Sequence, residues 1–140
     1  MKNLKKIVTL LLIFTMLLSF AACEKDTASL WDDALYTTDT VLGEGTKTLT
    51  VKVTCEEKTV TFTIKTDKET VGEALFENSL IEGDQGDYGL YVKKVNGIKA
   101  DYDTDKAYWS FCQNGEYMMT GVDTTDFESG QSYELIYTKG

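Results

Sequence analysis

The sequence predicts an α+β fold in which one short helix packs on a mixed sheet, with elements in the order ββαβββ. Three observations carry this. Two neighbouring runs alternate apolar and polar residues with period two, one short run has helical spacing behind a capping signature, and further strand-like runs follow it.

In the first pair of runs Leu49, Val51 and Val53 alternate with Thr48, Thr50, Lys52 and Thr54, and Val60, Phe62 and Ile64 alternate with Thr59, Thr61, Thr63 and Lys65. β-branched residues at period two mark strands that bury one face. The polar Glu56-Glu57-Lys58 between them makes a hairpin the simplest connection. Threonine takes the outward phase, where strand propensity and solvation explain it.

Thr70 and Glu73 then stand at capping-box spacing, and Val71, Ala74 and Leu75 share one helical face, which predicts a helix over 70–79. Glu82-Gly83-Asp84-Gln85-Gly86-Asp87 reads as a loop. Strands are expected over 88–95 and 108–113, separated by an Asn96-Gly97 turn and an acidic loop. A last strand over 132–138 puts Tyr133, Leu135 and Tyr137 on one face.

Composition acts mainly by exclusion. The chain has 140 residues, 14 cations that are all lysine, 23 acids, three cysteines, and neither histidine nor proline. Without His there is no imidazole for a Ser/His or Cys/His nucleophile, a His-containing zinc site or an axial metal ligand. Without Arg there is no bidentate fork for phosphate or carboxylate. A net charge of −9 argues against nucleic acid, whose binding needs clustered cations. No catalytic residue set and no cofactor is read, and the protein is expected not to be an enzyme.

Lys2, Lys5 and Lys6 precede an apolar run from Ile7 to Phe20, a signal peptide too short for a comfortable membrane span. It ends in Leu18-Ser19-Phe20-Ala21-Ala22-Cys23, which looks like a bacterial lipoprotein signal with Cys23 as the lipidation site. A secretory signal cut after Ala22 is the plainer alternative. Acyl chains such as palmitate on Cys23 would hold the protein on the extracytoplasmic face of the cell membrane, because stable anchoring takes two chains. The expected organisation is a signal over 1–22, a lipid-anchored tether over 23–46 with Trp31 an isolated or loosely packed aromatic, and one domain over 47–140. Losing the signal removes three lysines and no acid, so the mature chain is more acidic still.

Asp101-Tyr102-Asp103-Thr104-Asp105 opens like a calcium-binding loop, then departs from it, with Lys106 where the turn needs Gly and Cys112 where a bidentate Glu belongs. A solvated acidic loop is the better reading, and no metal site is assigned. Cys55 and Cys112 are expected as two buried thiols, although an extracytoplasmic setting permits a disulfide. Aromatic residues concentrate at Tyr91, Tyr108, Trp109, Phe111 and Tyr117, with Met118 and Met119 beside them. At least half should be core. The remainder supplies one wall of a ligand-binding surface, for which Tyr91, Tyr108, Trp109, Phe111, Tyr117 and Met118 are the candidates.

The stretches Tyr88-Gly89-Leu90-Tyr91-Val92-Lys93-Lys94-Val95-Asn96-Gly97, Ala107-Tyr108-Trp109-Ser110-Phe111-Cys112-Gln113-Asn114-Gly115-Glu116 and Ser132-Tyr133-Glu134-Leu135-Ile136-Tyr137 resemble the transcobalamin-like C-terminal domain. That is a bacterial lipoprotein domain of uncharacterised function, similar to the β-domain of transcobalamin and gastric intrinsic factor. The resemblance implies a β-grasp-like fold and a small-molecule ligand, with a corrinoid the specific version. The animal proteins enclose cobalamin between this domain and a larger helical domain, so this chain would cover one face. A transporter subunit or second ligand-binding protein would supply the rest. By position Tyr108, Trp109 and Phe111 fall in the family's ligand-side segment, while Trp109 serves equally as a core anchor. The alternative is a surface module for a protein or cell-wall partner, without a small-molecule ligand.

Overall fold

The computed structural model describes residues 29–140, so the signal segment and Cys23 lie outside the described residues. The chain divides into two compact units, Met1–Asp32 and Asp33–Gly140. At the end of the first, a 3-10 turn (Leu30–Asp33) begins, with the Trp31 N–H donating to the Ser29 hydroxyl at 3.2 Å. Trp31 is only 8% exposed, not the loosely packed aromatic expected, in keeping with the large apolar area an indole removes from water.

The second unit contains nine strands and two short helices. Strands β1 (Thr40–Leu42), β2 (Lys47–Cys55), β3 (Lys58–Thr66), β7 (Ala107–Gln113), β8 (Glu116–Tyr117) and β9 (Ser132–Lys139) form a six-stranded mixed sheet in the order β1-β3-β2-β9-β7-β8. A smaller antiparallel sheet joins β4 (Ile81–Gly86), β5 (Gly89–Val95) and β6 (Ile98–Lys99). The helices are α1 (Val71–Glu77) and α2 (Tyr102–Asp105). The fold is therefore mixed, mostly sheet, with the expected strands and helix embedded in a longer order.

The β2–β3 hairpin follows its alternation through an unbroken antiparallel register from Lys47↔Thr66 to Cys55↔Lys58. Leu49, Val51, Val53, Val60, Phe62 and Ile64 are all essentially buried on one face, and threonines line the other. β9 runs parallel to β2, pairing Val51 with Tyr133 and Val53 with Leu135, so its inward residues join the same core. A parallel pair cannot be closed by a tight turn, and here the rest of the domain forms the crossover.

α1 starts at the expected capping box. The Glu73 N–H donates to the Thr70 hydroxyl at 3.2 Å, and the Glu73 carboxylate accepts from the Thr70 N–H at 3.3 Å. The helix stops at Glu77, short of the expected end, because Ser79 turns to φ 58 and the Asn78 amide folds back onto the Ala74 carbonyl at 2.9 Å. Thr66, fully buried at the end of β3, donates its hydroxyl to Glu77 at 2.9 Å and so ties the sheet to the helix.

Three regions differ from the sequence expectation. Residues 33–46, given to a tether, belong to the compact unit: β1 pairs parallel with β3, and Asp67 accepts both the N–H and the hydroxyl of Thr46 at 2.8 Å. The Gly-rich acidic run read as a loop is mostly β4. It pairs with β5 across a bulge at Glu82/Gly83, where a side chain on Gly83 would collide with the Tyr91 carbonyl. The acidic loop at 101–105 contains α2, in which Asp101 is the N-cap and accepts from the Asp103 and Thr104 N–H groups. Among the described residues no helix is long and apolar enough to cross a membrane.

Candidate functional site

Strand β7 carries three of the candidate ligand residues, and period two separates them. Register places Trp109 beside Tyr137 and Phe111 beside Leu135 on the covered face, whereas Tyr108 pairs with Thr138 on the opposite one. Trp109 is a core anchor. It is 6% exposed, its indole N–H donates to the Ile98 carbonyl of β6 at 3.1 Å, and its ring meets Tyr137 edge-on at 5.5 Å.

Phe111 lies near the end of the strand and is only half-buried. It stacks on Tyr133 with ring centroids 5.5 Å apart and planes 23° from parallel. Asn114 and Gly115, both at positive φ, turn the chain back so that Tyr117 lies opposite Cys112 and the Met118 N–H reaches the Phe111 carbonyl at 2.9 Å. The hairpin thus sets Met118 beside Phe111 on one face, whereas Tyr117, paired with Cys112, lies on the other; Met119 follows at 99% exposure. The Tyr133 hydroxyl donates to Gln131 at 3.2 Å, which gives this aromatic and methionine patch a polar margin. Burial raises the Tyr133 pKa, so the hydroxyl stays a donor at neutral pH.

A second exposed ring belongs to the same end of the unit. Gly121 sits against the carbonyls of Tyr88 and Leu90, so the β4–β5 turn bearing Tyr88, almost fully exposed, adjoins the segment after Met119. Asp123 secures that junction: its carboxylate accepts from the Leu90 N–H at 3.1 Å, and Gly72, Gly89 and Gly121 all crowd against it. Tyr88, Met119 and Tyr133 were absent from the candidate set. The Gly86-Asp87-Tyr88-Gly89 turn is the signal that marks Tyr88 as a tip, whereas the partners of Tyr133 depend on long-range pairing.

Tyr91 stands apart on the outward face of β5, in a cleft of about 410 Å³ where the small sheet meets α2. Tyr108 is on the threonine-bearing face of the large sheet. The six candidates therefore split: Phe111 and Met118 share one face at the hairpin, Trp109 is a core anchor, Tyr108 and Tyr117 lie on the other face of the large sheet, and Tyr91 belongs to the small sheet.

The remaining chemistry-bearing residues resolve simply. Cys55 is on the covered face in phase with Val53, and Cys112 is on the opposite face in phase with Ser110, so no bond links them. Burial pushes the Cys55 thiol up to about 11, with the charge of Glu56 adding to it, and burial likewise raises Cys112, with Glu134 adding. Neither is tuned as a nucleophile. Lys106 takes the left-handed turn, φ 53, that a calcium loop gives to Gly. Asp101 meanwhile spends its carboxylate on the cap, and among the described residues no group of three or more His, Cys, Asp or Glu side chains could hold a metal ion.

A small, mostly-sheet domain with an aromatic and methionine patch at one end is the class this fold and site define. Residues 68–139 match the family described as a domain of unknown function, DUF4430, and the chain belongs to that family. A candidate metal-binding protein from Ruminococcus gnavus ATCC 29149, known from its crystal structure, is 31% identical with a TM-score of 0.64, over 68% of this chain and 99% of that one. Haptocorrin in complex with Cbi gives a TM-score of 0.53 at 19% identity, over 66% of this chain. This chain spans 25% of haptocorrin, and the likeness is one of fold. No protein of curated function matches the chain.

Proposed function

We propose that this protein is an extracytoplasmic binding module, lipid-anchored through Cys23, that covers one face of a small molecule with a broad apolar surface, in the first instance a corrinoid. The observation that carries the reading is the patch itself. Phe111, stacked on Tyr133, has Met118 beside it on the same face, and Met119, 99% exposed, follows at once, surface that the domain does not use for its own core. Methionine adapts to irregular ligand shapes and stacked aromatics offer rigid area, which suits a flat, partly polar macrocycle.

The transcobalamin-like and β-grasp-like reading fits the parallel β2–β9 pairing and the fold likeness to haptocorrin in complex with Cbi. Since the matched region spans 25% of haptocorrin, a transporter subunit or second ligand-binding protein would close over the other face of the ligand here. The role is non-catalytic, in keeping with thiols whose pKa values are raised by burial.

Calorimetric titration of the full chain with cobalamin and with cobinamide tests this. Binding that Met118→Ala and Met119→Ala weaken supports the reading. Absence of binding by either corrinoid at sub-millimolar concentration overturns the corrinoid assignment.

A further inference from the structure

The outward face of the small sheet has features that the patch reading does not use. The cleft of about 410 Å³ is walled by Tyr91 from β5 and Tyr102 from α2, with Asp84, Lys93, Lys99 and Asp101 among its polar lining. A second depression of about 300 Å³ adjoins it, and Asp84, Lys93 and Lys99 border both. The two form one groove across the strands, longer than a single small ring requires.

The charges of this groove come close to cancelling, four acids against three lysines, unlike those of the chain. Glu82, Asp84, Asp101 and Asp103 face Lys93, Lys94 and Lys99, in a protein whose net charge is −9. Two ion pairs join four of these groups. Lys93 contacts Asp84 at 2.6 Å, and Asp84, chiefly through that hydrogen bond, raises the lysine's pKa; Lys94 lies 3.7 Å from Glu82. Such a lining mixes donors and acceptors and carries only a small net charge with which to select an anion or a cation.

The two tyrosine rings are each about half exposed, 44% for Tyr91 and 48% for Tyr102. A lysine lies over each ring, Lys93 at 5.9 Å from the Tyr91 centroid and Lys106 at 5.1 Å from that of Tyr102, which restrains the rings. Restrained aromatic platforms beside alternating carboxylates and ammonium groups suit a ring that is apolar on its C–H face and hydroxylated around its rim.

We infer that this groove binds a neutral oligosaccharide, its pyranose rings against Tyr91 and Tyr102 and its hydroxyls bonded to Asp84, Lys93, Lys99 and Asp101. An elongated groove with interleaved charges and aromatic walls distinguishes this from a site for a free amino acid, which needs one cation and one anion at a fixed spacing. It is separate from the hairpin patch.

The test is saturation-transfer NMR and calorimetry on the full chain with cellotetraose, chitotetraose and maltotetraose, alongside tetragalacturonate and a glycine dipeptide. We expect at least one neutral tetrasaccharide to bind, Tyr91→Ala and Lys99→Ala each to weaken it at least tenfold, and Met119→Ala to leave it unchanged. Tyr91 and Lys99 are exposed, and thermal melts that match the parent would show that both variants fold. Binding of none of the neutral sugars, preference for tetragalacturonate or the dipeptide, or binding indifferent to both substitutions would each overturn the inference. Corrinoid binding is measured separately, so failure of either proposal leaves the other standing.

Discussion

Asn96 is the residue whose removal should reveal most about how residues 33–46 are held. It is fully buried at the β5–β6 turn, at φ 52. Its side-chain oxygen accepts from the Tyr36 N–H at 2.9 Å and its amide donates to the Tyr36 carbonyl at 2.8 Å, while its own carbonyl accepts from the Leu35 N–H. Asn96→Ala removes two side-chain hydrogen bonds, each contributing roughly 1 kcal/mol net. It also places alanine in the left-handed region, at a cost of roughly 1 kcal/mol. The sum is about 3 kcal/mol, a large part of the ~5–15 kcal/mol that holds a typical domain. Asn96→Gly should cost about 2 kcal/mol, since glycine accepts the backbone angle but makes neither bond. Asn96→Asp keeps one acceptor and turns a carboxylate toward the Tyr36 carbonyl. Its introduced carboxyl should have a raised folded pKa, so the variant should be the least stable at neutral pH and recover as acid protonates that group. Urea denaturation of the full chain at neutral and mildly acidic pH measures all three. If Asn96→Ala costs under about 1 kcal/mol, or Asn96→Asp shows no recovery in acid, the side-chain clamp is not what holds the segment.

The Glu73 carboxylate has its pKa lowered from 4.5 by hydrogen bonds from the Thr70 and then the Glu69 N–H groups. Its contribution should be complete above pH 4.5 and fade as pH falls through the lower folded value, so Glu73→Gln should flatten the acid limb of a melting-temperature profile; an unchanged limb would count against the box. Trp109→Phe retains a ring but removes the indole N–H that donates to the Ile98 carbonyl, and should destabilise the chain by roughly 1 kcal/mol in denaturant. A loss within error would return Trp109 to the pool of ligand residues.

The hairpin and helix were legible because their signals are local. Period two in residues 48–65 and the Thr70 and Glu73 pair state their structure without outside help. The ligand residues were legible only as a group. Strand phase separates Trp109 and Phe111 from Tyr108, and which of the first two is sealed depends on where β6 lies. A Gly-rich acidic run reads as a loop because its residues are poor strand formers, but β5 supplies the pairing that makes it β4.

By itself the sequence determined which residues share the inward face in the 48–65 hairpin and the last strand, where the helix begins, and that the protein lacks imidazole and guanidinium chemistry. These follow from composition and from spacing within a few residues. The tertiary structure decided that residues 33–46 fold with the domain, that the two cysteines lie on opposite faces, and that Asn96 grips Tyr36 across 60 residues. Each of those depends on groups distant in the chain meeting within hydrogen-bond or packing range, and no local pattern records such a meeting.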